Sequence, residues 1–153
     1  MKNKKLLVLL AYFGLLLPVC LYAQTAAELE VLLETSKVTC GQAAWFIYSS
    51  GGDNTGNIKN PDDAFKHAVE AGWLKAKSAN DPITLGKLSF LIMQAFKIKG
   101  GMMYSLAPGP RYAYRSMVSH SYIQDSSDPA MSVSGERFLL ILGRVLDAEG
   151  DKQ

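Results

Sequence analysis

Two cysteines and two histidines are all that a chain of 153 residues offers for thiol, imidazole or soft-metal chemistry. They form no set with zinc spacing, and no glycine-rich loop follows a strand pattern, so neither a zinc centre nor a nucleotide cradle is expected. His67 and His120 lack the partner that acid–base catalysis requires. His67 reads as an exposed helix residue beside Lys66, and His120 as a helix end. Asp53-Asn54-Thr55-Gly56-Asn57 has the oxygen donors of a calcium loop, but Ile58 and Ala64 stand where a calcium-binding EF-hand needs glycine and glutamate, which leaves a turn. No catalytic residue, metal or cofactor is therefore expected. Strong charge of either sign is missing as well: sixteen cations face fourteen acids. Three of the cations, Lys2, Lys4 and Lys5, precede an apolar run, so the rest of the chain is close to neutral and carries no electrostatic footprint for nucleic acid. What is plentiful is apolar material, 48% against 20% charged, enough to pack a core and to exclude general disorder.

The basic start and the run Leu6 to Leu17 (LLVLLAYFGLLL), followed by Pro18 and small residues near Ala23, have the layout of a secretory signal peptide. Cleavage after Ala23 leaves residues 24–153 as one domain, too short for two. Two other fates stay open. Leu17-Pro18-Val19-Cys20 is similar to a lipobox, which would acylate Cys20, and the same run would serve uncleaved as an anchor. With cleavage, Cys40 is the sole thiol of the exported chain and no internal disulfide can form.

Three segments of the remaining chain share a pattern. Val38-Thr39-Cys40-Gly41-Gln42, Ile83-Thr84-Leu85-Gly86-Lys87 and Val133-Ser134-Gly135-Glu136-Arg137 each place a hydroxyl before a strongly apolar run, at spacings of 45 and 50 residues. A hydroxyl there accepts hydrogen bonds from the free amides of a first helical turn, so Thr39, Thr84 and Ser134 are expected N-caps, and Thr39 with Gln42 fits a capping box. The helices that follow, about 40–50, 85–98 and 135–148, are apolar on nearly every side and must be surrounded by protein. Outer helices are expected at Ala26 to Thr35, after Pro61 with Asp62 and Asp63 in the first turn and Gly72 as the stop, and after Pro110. Ser49 to Pro61 and Gly100 to Pro110 read as loops. The fold expected is all-α: three helix-loop-helix repeats (about 26–50, 61–99 and 110–148) around a pseudo-threefold three-helix core.

Gly72-Trp73-Leu74 and Asn80-Asp81-Pro82-Ile83-Thr84 are the segments through which the chain resembles the S-layer homology (SLH) domain. The resemblance implies three tandem repeats around a shared axis and a place in the cell envelope. In that family an Arg and a Glu after the capping Thr help to bind pyruvylated wall polysaccharide. Here Cys40, Leu85 and Gly135 take the Arg position, and Gln42, Lys87 and Arg137 the Glu position, so no repeat keeps both and the usual glycan is in doubt.

Lys87 and Arg137 would put cations near helix starts, where an anion is favoured. Arg111, Tyr112, Tyr114 and Arg115, with Tyr104 and Tyr122 near them, form an aromatic and basic stretch of the kind found in binding hot spots and against sugars, while tyrosines there also serve as core. Cys40 at a helix start would have a lowered thiol pKa, which makes a thiol-dependent factor one alternative, beside the preferred reading of Cys40 as a small, partly buried residue. The preferred expectation is an exported, periplasmic or envelope-associated binding module without catalytic activity, whose partner is an envelope protein or cell-wall polysaccharide. The membrane enters only through the N-terminal segment or a Cys20 lipid. A purely structural subunit is the other alternative.

Overall fold

The computed structural model describes residues 26–52, 58–125 and 127–150. The signal-like segment, Cys20 and the stretch Asp53 to Asn57 lie outside them. The chain divides into two compact units, Met1–Glu34 and Thr35–Gln153. In the first, residues 26–34 form a helix, α1. The second holds α2 (Cys40–Ser49), α3 (Pro61–Glu70), α4 (Leu85–Ala95), α5 (Met102–Leu106), α6 (Pro110–Ser119) and α7 (Gly135–Gly150). The protein is all-α, and among the described residues there is no strand, only two isolated antiparallel bridges, Thr39 with Pro82 and Thr84 with Ser132.

Helix starts follow the hydroxyl pattern. Thr39 Oγ1 accepts from the Gln42 amide at 3.2 Å while the Gln42 side chain accepts from the Thr39 amide at 3.0 Å, closing the capping box. Thr84 and Ser134 accept from the Lys87 and Arg137 amides, each at 3.4 Å. The first amide of each of these helices is bonded to a carbonyl of a segment leading into another: Cys40 to Asp81 (2.8 Å), Leu85 to Met131 (2.9 Å) and Gly135 to Thr35 (2.8 Å). Behind them, the Ile83 amide donates to Val38 and the Val38 amide to Val133. The three helix starts thus share one bonding pattern.

Helix ends repeat more closely still. At α2, α3, α4 and α6 the residue after the cap takes a positive φ: Gly51 (100°), Gly72 (74°), Lys97 (54°) and Ser121 (62°). Each donates to the carbonyl three residues back, and the next residue reaches five back, as in Gly72 to Val69 and Trp73 to Ala68, or Ser121 to Val118 and Tyr122 to Met117. This is the Schellman motif, which consumes carbonyls a helix end would otherwise leave without donors. In α3 and α6 it turns the chain so that Leu74 and Ile123 go into the core.

α2 packs on α3 and α4, and α4 packs on α6, which also carries α5. Leu85, Leu88, Leu91, Ile92 and Met93 of α4 are buried, together with Ala43, Ala44 and Ile47 of α2 and Phe138, Ile141, Leu142 and Val145 of α7. Phe46 meets Phe138 edge to face at 6.3 Å. Gly41 and Gly86 allow the outer elements in close. A methyl on Gly41 would stand 3.2 Å from the Pro61 carbonyl, and one on Gly86 would stand 3.2 Å from the Pro129 carbonyl and 3.4 Å from that of Pro110.

Two expectations are corrected. The segment Gly100 to Pro110 is not a plain loop, since Gly101 starts the five-residue α5 inside it. His67 is not a freely exposed helix residue: its Nδ1 is hydrogen-bonded to the Tyr48 hydroxyl at 3.1 Å, and its ring stands edge-on to Tyr48 and Trp73. The side of α3 that packs on α2 carries His67, and an imidazole with a hydroxyl partner can be half-buried there.

Candidate functional site: a basic groove at the starts of α4 and α6

Four of the six residues the sequence puts forward for binding line one groove. Lys87 comes from the first turn of α4, and Arg111, Tyr114 and Arg115 come from α6. Thr84, Gly86, Pro110, Pro129 and Ala130 complete a groove of about 550 Å³. The missing side chain of Gly86 keeps its floor low, because the α4 backbone can then lie against Pro129 and Pro110. Prolines, Ala130 and the Tyr114 ring make the walls apolar, while Lys87, Arg111 and Arg115 supply three positive charges without an acid among the lining residues. A ligand suited to it carries an anionic group on an apolar or ring-shaped body.

Tyr114 is held in place. Its hydroxyl donates to the Ser127 carbonyl at 2.6 Å and accepts from the Ser127 amide at 2.9 Å, so only its ring remains for a ligand. Arg137 does not join the groove. Its guanidinium donates to the Ser127 hydroxyl at 2.7 Å and to the Met131 sulfur at 3.4 Å, which clamps the 127–131 segment behind Tyr114. At the start of α4 the Leu85, Gly86 and Lys87 amides already donate to Met131, Pro129 and Thr84, so an anion there would be met by the Lys87 side chain and not by an open amide cradle. Charge in this groove comes from side chains.

Tyr112 lies elsewhere. With Arg115 it lines a second groove of about 620 Å³ between α5 and α6, together with Lys99, Met102, Met103, Ser119 and His120. Tyr104 is buried against Phe90, and its hydroxyl accepts from the Gln94 amide nitrogen at 2.8 Å. Burial pushes the Tyr104 phenol above its ordinary value, with Gln94 pulling the other way. Tyr122 is buried too, stacked on the His120 ring at 5.6 Å and hydrogen-bonded to Glu149. The Nδ1 of His120 donates to the Ser116 carbonyl at 2.8 Å, which ties the imidazole to the last turn of α6. Of the aromatic stretch, Tyr104 and Tyr122 are therefore core, Tyr114 is a largely buried ring with one edge in the α4–α6 groove, and Tyr112 lines the α5–α6 groove.

Cys40 meets conditions opposite to those expected at a helix start. Its side chain is fully buried, and its amide is spent on Asp81. Burial pushes the thiol up, Lys87 lowers it less and Asp81 raises it further, so the proton is retained. At this buried helix start desolvation outweighs the pull of the helix dipole on the thiol. Among the described residues no group of three or more His, Cys, Asp or Glu is arranged to hold a metal ion.

One signal in the sequence pointed at this region and was averaged away in the net charge. Between Pro82 and Gln124 there are five cations, Lys87, Lys97, Lys99, Arg111 and Arg115, and not one of the fourteen acids. Both grooves draw their charge from that stretch. No family model, no curated protein and no solved structure matches the chain, so the chemistry of the groove rests on its own residues.

Proposed function

We propose that the protein is an exported, non-enzymatic module of the cell envelope that holds a carboxylate-bearing cell-wall glycan in the groove at the starts of α4 and α6. The observation that carries this reading is the convergence of Lys87, Arg111 and Arg115 on apolar walls that include the Tyr114 ring, with no acid among them. Cations and hydrogen-bond donors fix an acidic sugar substituent, and apolar and aromatic faces accept the C–H side of a pyranose. The signal-like N-terminus supplies the export half of the reading. A three-repeat core around a common axis belongs to the same proposal. It is supported by the cyclic order of the bonds from Cys40 to Asp81, Leu85 to Met131 and Gly135 to Thr35. The likeness to the SLH repeat is then one of scaffold, with the anion met by α6 cations in place of the family's Arg and Glu.

Co-sedimentation of the protein with purified cell walls tests this. Binding is expected, weakening as salt rises, and falling about tenfold or more in Lys87→Gln/Arg111→Gln, since each charged hydrogen bond contributes about 1.5–3 kcal/mol. Removal of acidic substituents from the wall should have the same effect. A protein that stays in the supernatant, or a variant that sediments like the parent, overturns the glycan reading. An acidic envelope protein captured through the same cations would replace it.

A further inference from the structure

The exposed apolar side chains of α5 are concentrated to a degree found nowhere else among the described residues of the unit Thr35–Gln153. Of its five residues, Met102 is 77%, Leu106 74% and Met103 49% exposed, while Tyr104 alone faces inward. A five-residue helix with three large apolar side chains in water gains nothing for the fold from them, because burial and not exposure is what stabilises. Its setting is cationic on both flanks. On one side Met102 and Met103 line the α5–α6 groove with Lys99, Arg115 and His120, and on the other Ser105 and Pro108 line a groove of about 510 Å³ with Lys97 and Lys99. Neither groove has an acidic residue in its lining. The anchoring of α5 is firm: Tyr104 is pinned between Phe90 and Gln94, and the Gly101 amide donates to the Ser116 hydroxyl at 3.3 Å.

We propose that α5 is a membrane-surface foot: Met102, Met103 and Leu106 enter the headgroup region of an anionic phospholipid bilayer while Lys97, Lys99 and Arg115 meet the lipid phosphates. Apolar side chains ringed by cations are the composition of interfacial anchors, which rest on a bilayer without spanning it. Charge complementarity selects this occupant. A patch with no acid among its described lining residues and with protruding methionine and leucine matches a surface that offers phosphates above hydrocarbon, and flexible methionines adapt to a fluid partner. α5 is far too short to cross a bilayer, and among the described residues no helix is long and apolar enough to do so. This contact shares Arg115 with the glycan groove and otherwise draws on different residues.

The test uses the full chain and vesicles of phosphatidylcholine alone or with one-third phosphatidylglycerol, so that any contribution of the N-terminal apolar run is common to every arm. The parent is expected to bind the anionic vesicles preferentially. Met102→Ser/Met103→Ser/Leu106→Ser should lose most of that preference, and Lys97→Gln/Lys99→Gln should weaken it by about 25-fold, since one cation at such a surface contributes about fivefold. A Leu106→Trp variant reports position directly: the emission of the introduced indole should shift to the blue and be quenched by brominated acyl chains only with anionic vesicles. Equal partitioning of the parent and the serine variant overturns the proposal, as does an indole signal in Leu106→Trp that vesicles leave unchanged. Loss of exposure of Leu106→Trp in lipid-free solution, with a doubled mass in sedimentation, would also overturn it by assigning α5 to a second copy of the chain.

Discussion

Replacing Ser121 by glycine is expected to stabilise the fold, although it removes atoms and adds no contact. Ser121 holds φ at 62° to close the Schellman turn after α6, a conformation that costs a residue with a Cβ about 1–2 kcal/mol. Glycine adopts it freely but loses about 0.5–1 kcal/mol more chain entropy on folding. The difference is a gain of about 0.5–1 kcal/mol, or roughly 2–5 °C in Tm for a domain of this size. The other turns provide controls of opposite sign. Gly72→Ser, at 74°, should lose about what Ser121→Gly gains, and Gly51→Ser, at 100° and farther from the left-handed minimum, should lose more. Urea unfolding followed by far-UV circular dichroism gives the midpoints, with the slope expected to stay constant because surface burial is unchanged. A Ser121→Gly midpoint equal to or below that of the parent, with Gly72→Ser neutral, would refute the assignment of backbone strain to these turns.

Four further outcomes follow from side-chain environments. The raised thiol pKa of Cys40 has a definite sign: below the ordinary thiol value of about 8.5 both states keep the proton and stability is at its full value. Above it the unfolded chain releases a proton that the folded chain retains, so stability falls as pH rises, and Cys40→Ala should flatten that decline in urea midpoints taken above the ordinary thiol value. In a Cys20→Ser background the buried Cys40 should react with a thiol reagent only on unfolding. Gly100→Ala sets a methyl against the Tyr104 ring and should cost about 1–3 kcal/mol, with loss of the near-UV dichroism of Tyr104. Tyr114→Phe leaves the Ser127 amide and carbonyl without their shared hydroxyl, at a cost of about 1–2 kcal/mol, and should speed proteolysis between residues 124 and 130.

Helix starts were legible in the sequence because a cap is chemical: Thr39, Thr84 and Ser134 declare themselves by a hydroxyl three residues before the amide it accepts from. Helix ends were legible only where glycine marked them. Gly72 announces its turn, but Ser121 and Lys97 make the same turn against their own preference, driven by the burial of Tyr122, Ile123 and Ile98 that it allows. The groove was half legible. Arg111, Tyr114 and Arg115 share one helix, so their spacing brings them together, whereas the approach of Lys87 depends on α4 packing against α6 through Gly86. Arg137 has the same sequence setting as Lys87 and ends on Ser127, a partner no local pattern reveals. Cys40 could be read two ways, because a helix start and a core position act oppositely on a thiol, and only the fold says which dominates. α5 was hidden by the Gly and Pro residues around it, and the acid-free stretch by a balance struck over the whole chain.

The bond from the Gly135 amide to the Thr35 carbonyl also bears on the order in which the molecule can be made. Thr35 and Val38 leave a ribosome about a hundred residues before the groups that satisfy them, the Gly135 amide and the Val133 carbonyl. Until then the Thr35 carbonyl lacks the Gly135 amide and the Val38 amide lacks the Val133 carbonyl, and the pocket for Phe138 stands open beside Phe46. A nascent chain in this condition has local helices but no closed core, and closure waits on contacts of very long sequence separation. A ribosome stalled before residue 133 would therefore hold a chain that is protease-sensitive throughout, and one stalled well beyond residue 150 a chain that has locked, with no stable stage between them.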